Sequence, residues 1–279
     1  MLQSRTFARR LFHDSLTLLY SRLVEGEKQL LRKIALYPGK RGMAKLEQSL
    51  NKFCDLVITN SKVDEEVIKR LSPLGHTLTI TNGVDVDYFS SGAESECADK
   101  LIFTGVMDYE PNEDAALYFG KEIFPLVKKK FPAAEYWVVG SGPSPALLSL
   151  ASQPGIHVTG RVDDVRPYLQ TASIFVCPLR YGAGMKNKVL AAMAMCKAIV
   201  ATPLSLEGID VRFGQEVLIA DSAEEFARQV GSLLSDKKLV RRLCEAGRKL
   251  VQEKYSWSAR GLMLESSLRT VAAQHGDTN

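Results

Sequence analysis

Between residues 100 and 202 the chain alternates five short apolar runs, "KLIFTG", "AEYWVVG", "IHVTG", "IFVCPL" and "AIVAT", with helical patterns over 112–130, 144–152, 164–171 and 186–196. The runs are nearly continuous in apolar residues and are punctuated by glycine, proline or small polar residues, as strands buried on both faces are. Alternation of this kind implies parallel strands, because each helix must carry the chain back across the sheet. We read this region as α/β, a doubly wound, Rossmann-like parallel sheet. "EVLIAD" adds an edge strand, and helices over 222–235, 237–253 and 257–272 close the chain.

Ahead of this sheet, residues 14–70 are mostly helical in pattern, with apolar residues at helical spacing in "LTLLYSRLVEGEKQLLRKIA" and an interruption by turn residues at "YPGKRG". "CDLVITNS" and "TLTI" read as short strands. Asn60 or Ser61 caps the helix between them, and Asp64, Glu65 and Glu66 suit its positive N-terminal dipole. The small polar stretch "SSGAESECAD" is the linker candidate and puts a boundary near 90–99.

Composition excludes several classes. With 46% hydrophobic and 24% charged residues the chain is an ordinary globular protein. No apolar run reaches the roughly 18–20 residues of a membrane span, and the N-terminus lacks a signal-peptide core. Five scattered cysteines without a C-x-x-C pair suggest neither a disulfide framework nor a zinc site, and so a reducing cytoplasm. Residues 1–52 hold eleven Lys/Arg against four Asp/Glu. That basic part suits anionic lipid at the inner face of a membrane, or an acidic partner; a solvated helix face is the alternative, and no nucleic acid is expected.

In a doubly wound sheet the ligand site lies beyond the carboxyl ends of the strands. Five loops gather there: Gly105 onward, 140–145, 160–164, 179–188 and 202–208. "CPLRYGAGMKNKVLAAMAMCKAIVAT" is the richest. Gly182 and Gly184 let backbone approach a ligand, a helix N-terminus begins near Lys186, and Lys186 and Lys188 add two cations, a combination that fits a phosphate or diphosphate. A plain tight turn with solvent-facing lysines fits the pattern equally well. "VVGSGPSP" lacks the dinucleotide fingerprint, His157 reads as a hydrogen-bonded core histidine, and Met185, Met193 and Met195 read as helix packing. No catalytic triad or metal cluster stands out.

The order of "ITNGVDVDYF", "FTGVMDYEPNEDA", "VVGSGP", "VTGRVDDVRPYLQTASIFVCPLRYGAGMKNKVLAAMAM" and "EKYSW" resembles that of group 1 (GT4-like) glycosyltransferases of the GT-B fold, particularly bacterial exopolysaccharide-associated sugar transferases. The resemblance implies a remnant of an N-terminal acceptor-side domain with the linker over 1–95, a nucleotide-sugar donor domain over 96–255, and a C-terminal helix and tail over 256–279. It also implies a nucleotide-diphosphate sugar as donor, a saccharide or lipid-linked acceptor, retention of anomeric configuration, and no metal or other cofactor. Gly105, Asn112, Gly182, Gly184, Met185 and Asn187 would face the diphosphate, Arg161 and Val162 would flank the base, and Lys186 and Lys188 would stabilise the leaving phosphate.

Two departures from the family pattern stand out. Where relatives carry two glutamates separated by seven residues, this chain has Ala183 and Ala191, and Cys196 stands where glycine is usual. The second glutamate commonly holds ribose hydroxyls, so Ala191 removes an acceptor. The other departure is the short N-terminal part, which reads as a truncated domain and makes turnover by this chain alone doubtful. A non-catalytic nucleotide-sugar binding or scaffold subunit, and a GT-B nucleotide-sugar epimerase, are the alternatives.

Overall fold

A computed structural model describes residues 10–11, 15–17, 21, 24, 30–52, 54, 56–73, 76–90, 97–182 and 184–276. The chain divides into two units, Met1–Asn82 with Arg260–Asn279, and Gly83–Ala259.

In the first unit β1 (Arg10–Leu11), β2 (Leu56–Thr59) and β3 (His76–Thr79) pair in parallel in that order. Helices α1 (Leu30–Gln48) and α2 (Lys62–Leu71) accompany them. Ser61 caps α2, its hydroxyl accepting from the Asp64 N–H at 3.1 Å. The expected interruption at "YPGKRG" does not occur, and α1 runs through Pro38. An interior proline costs about 3 kcal/mol, but Pro38 and Gly42 lie on the exposed face, where water can hydrate a freed carbonyl. The far end of α1 is anchored by Glu47. Its buried carboxylate accepts from the Ser15 hydroxyl at 3.0 Å and from the N–H groups of Leu16 at 2.7 Å and Thr17 at 3.3 Å. Tertiary anchoring thus overrides the local turn signal.

The second unit is built on six parallel strands: β4 (Cys97–Thr104), β5 (Glu135–Val139), β6 (Ile156–Val158), β7 (Ala172–Cys177), β8 (Ala198–Ala201) and β9 (Leu218–Ile219). Their order is β6-β5-β4-β7-β8-β9. The chain winds outward from β4 to one edge, returns, and winds outward from β7 to the other. The direction reverses between β4 and β7, and a doubly wound sheet opens its ligand crevice at that switch point.

Helices cover both faces of this sheet. From β4 the chain enters α3 (Glu110–Tyr118) and passes through a π-helical turn at Phe119–Ile123 into α4 (Phe124–Lys130). Then come α5 (Pro145–Ser149), α6 (Arg166–Thr171), α7 (Asn187–Ala194), α8 (Ala223–Ser235) and α9 (Lys237–Leu250), while the last helix, α10 (Trp257–Gly276), belongs to the first unit from Arg260 on. Successive residues of β5 point to opposite faces. Tyr136 is buried with its ring 4.5 Å from Phe119 and 5.9 Å from Phe124, whereas Trp137 faces Tyr168 of α6. His157 is not the core histidine its apolar strand suggests. It lies on edge strand β6, partly exposed, with its ring stacked 4.2 Å from Trp137. Met193 and Met195 are buried in the core, as packing residues are.

Gly83–Phe89 is tied to the end of the same unit. The Val84 N–H donates to the Tyr255 carbonyl at 2.8 Å, and the Trp257 N–H donates to the Val84 carbonyl at 3.3 Å. Arg166 lies 3.8 Å over the Tyr88 ring. Residues 91–96 of the expected linker lie outside the described residues. Among the described residues no helix is long and apolar enough to cross a membrane.

Candidate functional site

The loops after β4 and β5 interlock at the carboxyl end of the sheet. The Gly105 N–H donates to the Val139 carbonyl at 3.1 Å, and the Met107 N–H donates to the Ser141 carbonyl at 2.7 Å. A Cβ on Gly140 would stand 1.7 Å from the Gly105 oxygen, so only glycine permits this approach. The crossing fixes the first turn of the β4–α3 loop and turns Asn112, at the start of α3, toward the switch point.

Asn112 is buried. Its amide N–H donates to the Val106 carbonyl at 2.8 Å, which leaves the amide oxygen to accept from the Lys188 ammonium. Lys188 reaches this point from α7, which follows β7, so β4 and β7 each contribute one partner. A Cβ on Gly105 would lie 2.9 Å from both the Asn112 amide nitrogen and the Lys188 Nζ. Gly105, Asn112 and Lys188 therefore form one cluster. The ammonium also sits 4.5 Å from the Phe103 ring centroid.

Burial pushes the Lys188 pKa down to about 8; the Cys177 thiol opposes that shift and the charge of Lys186 adds to it. Burial likewise raises the Cys177 thiol, against the pull of Lys188. A desolvated ammonium with one neutral amide oxygen among its contacts is electrostatically undersatisfied, and an anion arriving at the crevice would restore its charge.

The glycine turn is shaped as the sequence suggests, with Gly182 at φ 126° and Gly184 at φ 75°. The Lys186 ammonium donates to the Gly184 carbonyl, closing the turn from within. Met185 packs against Gly208 of the next loop, its Cε 3.5 Å from where a Cβ would stand. Asn187 opens α7 and is exposed. Ala191 is partly buried against the core one turn further on. Arg161 is exposed and Val162 packs on the core, both beyond edge strand β6 and thus two strands from β4. Ala183 lies outside the described residues.

Other parts of the site are invisible in the local sequence pattern. Arg180 pairs with Asp114, its Nε donating at 2.9 Å, and lies 4.6 Å over the Tyr118 ring, which ties the glycine turn to α3. Behind the turn, the Thr202 hydroxyl donates to the Leu179 carbonyl at 2.7 Å, and the Ser205 hydroxyl donates to the Cys177 carbonyl at 2.6 Å. Only the strand order brings these partners together. Among the described residues no three His, Cys, Asp or Glu side chains converge as a metal site.

Residues 98–236, the segment holding this cluster, match the family model of group 1 glycosyl transferases. Over these residues, about half of the chain, the sequence is similar to the group 1 glycosyltransferases. A curated relative, the lipopolysaccharide core biosynthesis glycosyltransferase LpsE of Rhizobium meliloti (strain 1021), is 30% identical over 139 residues, which cover 47% of this chain and 40% of that protein. An uncharacterized 44.6 kDa protein in the cps region of Klebsiella pneumoniae is 20% identical over 226 residues, covering 78% of this chain and 57% of the relative. The chain thus spans between two fifths and three fifths of the length of these relatives. Among solved structures, HepE from Anabaena, crystallised in complex with UDP, superposes with a TM-score of 0.68 at 12% identity, covering 93% of this chain and 72% of that one. The fold is that of the GT-B glycosyltransferases.

Proposed function

We propose that the Gly83–Ala259 unit binds the diphosphate of a nucleotide sugar at Lys188 and Asn112, and that the protein to which this chain belongs transfers the sugar to a saccharide or lipid-linked acceptor. The observation that carries this reading is the half-buried Lys188 ammonium held by Asn112 at the sheet's switch point. Departure of the nucleotide diphosphate concentrates negative charge on its terminal phosphate. Lys188, the N–H groups opening α7 and the backbone at Gly182 and Gly184 would receive it. Family likeness adds retention of configuration without a metal ion, and the UDP in the HepE complex makes a uridine nucleotide a first donor class to try.

The test is affinity. UDP and GDP should bind the full chain far more tightly than uridine and guanosine, and Lys186→Ala with Lys188→Ala should erase the difference. Equal affinities for nucleotide and nucleoside in the unchanged protein would refute the reading. A binding subunit without turnover is the second reading, favoured by Ala191, which offers no carboxylate at a position where the family resemblance implies one. Radiolabelled nucleotide sugar, bound but never hydrolysed or transferred by the full-length protein, would decide for it.

A peripheral membrane contact belongs to the same proposal. Helix α1 exposes Ile34, Tyr37 and Leu46 beside Arg41 and Lys45, while Glu47 is buried. An apolar and cationic face of this kind suits an anionic lipid surface. Co-sedimentation with phosphatidylglycerol vesicles that survives Arg41→Glu with Lys45→Glu would argue against it.

A further inference from the structure

Four acidic side chains, Asp108, Glu110, Glu113 and Asp114, stand on or beside the β4–α3 loop. Asp114 holds Arg180, and Glu110 lies near the Tyr181 hydroxyl. Asp108, three residues beyond Gly105, is exposed and has no hydrogen-bond or ion-pair partner among the described residues. It is nonetheless held in place. Met107 before it is fully buried, with its N–H bonded to the Ser141 carbonyl. Gly142, at φ 71°, leaves the space its side chain uses, since a Cβ there would lie 3.1 Å from the Asp108 Cβ and 3.2 Å from its Cγ.

A carboxylate on the loop that also carries Asn112 repels phosphate and accepts hydroxyl hydrogen bonds. Its two oxygens match two adjacent hydroxyls. We propose that Asp108 binds a vicinal diol of the bound nucleotide sugar and so acts as a specificity-determining residue for the donor. The inference rests on the diphosphate reading above. Diphosphate bound at Lys188 brings two diol-bearing rings within reach of this loop, the ribose on one side and the transferred sugar on the other. The chemistry is shared between them, and only the ligand can tell which is held.

The experiment is calorimetry on the full chain with pyrophosphate, UDP, 2′-deoxy-UDP, GDP, 2′-deoxy-GDP, UDP-glucose and GDP-mannose, for the unchanged protein, Asp108→Asn and Asp108→Ala. If the ribose is held, the unchanged protein should prefer UDP or GDP over its 2′-deoxy form roughly tenfold or more, and both variants should lose that preference. If the sugar is held, the variants should instead lose affinity for the nucleotide sugar and keep it for the nucleotide. In either case pyrophosphate should bind the variants as well as before or better, because a repelling charge is gone. Pyrophosphate and nucleotide affinities falling together would mean a merely structural role and overturn the inference, as would variants with unchanged affinity for every ligand. Failure of the unchanged protein to bind any nucleotide would overturn the diphosphate reading as well.

Discussion

The Lys188 ammonium donates to the amide oxygen of Asn112, joining the helix that follows β7 to the helix that follows β4. No Cβ fits at Gly105 beside either partner. Gly105→Ala should therefore separate the pair while leaving the sheet intact, because the displaced atoms are side-chain ends. We expect nucleoside diphosphate affinity to fall roughly tenfold or more, the scale of a lost charge-assisted hydrogen bond, with the circular dichroism spectrum unchanged. Calorimetry with UDP and GDP checks it.

Lys188→Met should stabilise the protein and abolish nucleotide binding. The native-state pKa of about 8 lies below the ordinary lysine value of 10.5. The unfolded chain takes up this proton first, so the destabilisation is fully present below pH 8 and is relieved as pH rises from 8 toward 10.5. Removing the charge should gain about 1–3 kcal/mol at pH 7, part of it offset by the unpaired Asn112 oxygen. Melting curves should show a smaller gain at pH 10 than at pH 7.

Ligand binding should have its own pH profile. An anion prefers the protonated amine, so affinity for a nucleoside diphosphate should be high at pH 7 and fall as Lys188 loses its proton above about 8. Lys188→Arg keeps its charge throughout and should flatten the decline between pH 8 and 9.5. A titration series over that range would show it.

The parallel sheet was legible in the sequence because central strands such as β7 and β8 are buried on both faces and read as continuous apolar runs. The glycine turn was legible because two glycines and two lysines stand within seven residues. The Lys188–Asn112 and Arg180–Asp114 pairs were not, since they depend on β4 lying beside β7, and no local pattern encodes strand order. Helix α1 misled for a related reason. Pro38 and Gly39 are strong turn signals, and the residues that hold Glu47 lie about thirty positions away. His157 misled because an edge strand and a central strand share the same apolar composition.

Cys196 offers a test of backbone strain. It is the non-glycine residue with positive φ, 56°, among the described residues. It ends α7 in a Schellman turn, with its N–H donating to Met193 and the Lys197 N–H donating to the Ala192 carbonyl at 3.0 Å. Cys196→Gly should relieve about 1 kcal/mol of left-handed strain and raise the melting temperature by roughly 2–4 °C. Thermal denaturation of the two proteins under reducing conditions measures it.

The pairing of Val84 with Ser256 means that the second unit begins and ends at one place. A unit whose ends touch is a cassette. It can be lifted from its host at a single seam, its ends sealed by a short peptide, and its chain reopened at a distant surface loop without any strand changing neighbours. Recombination between relatives would then need to match only that seam.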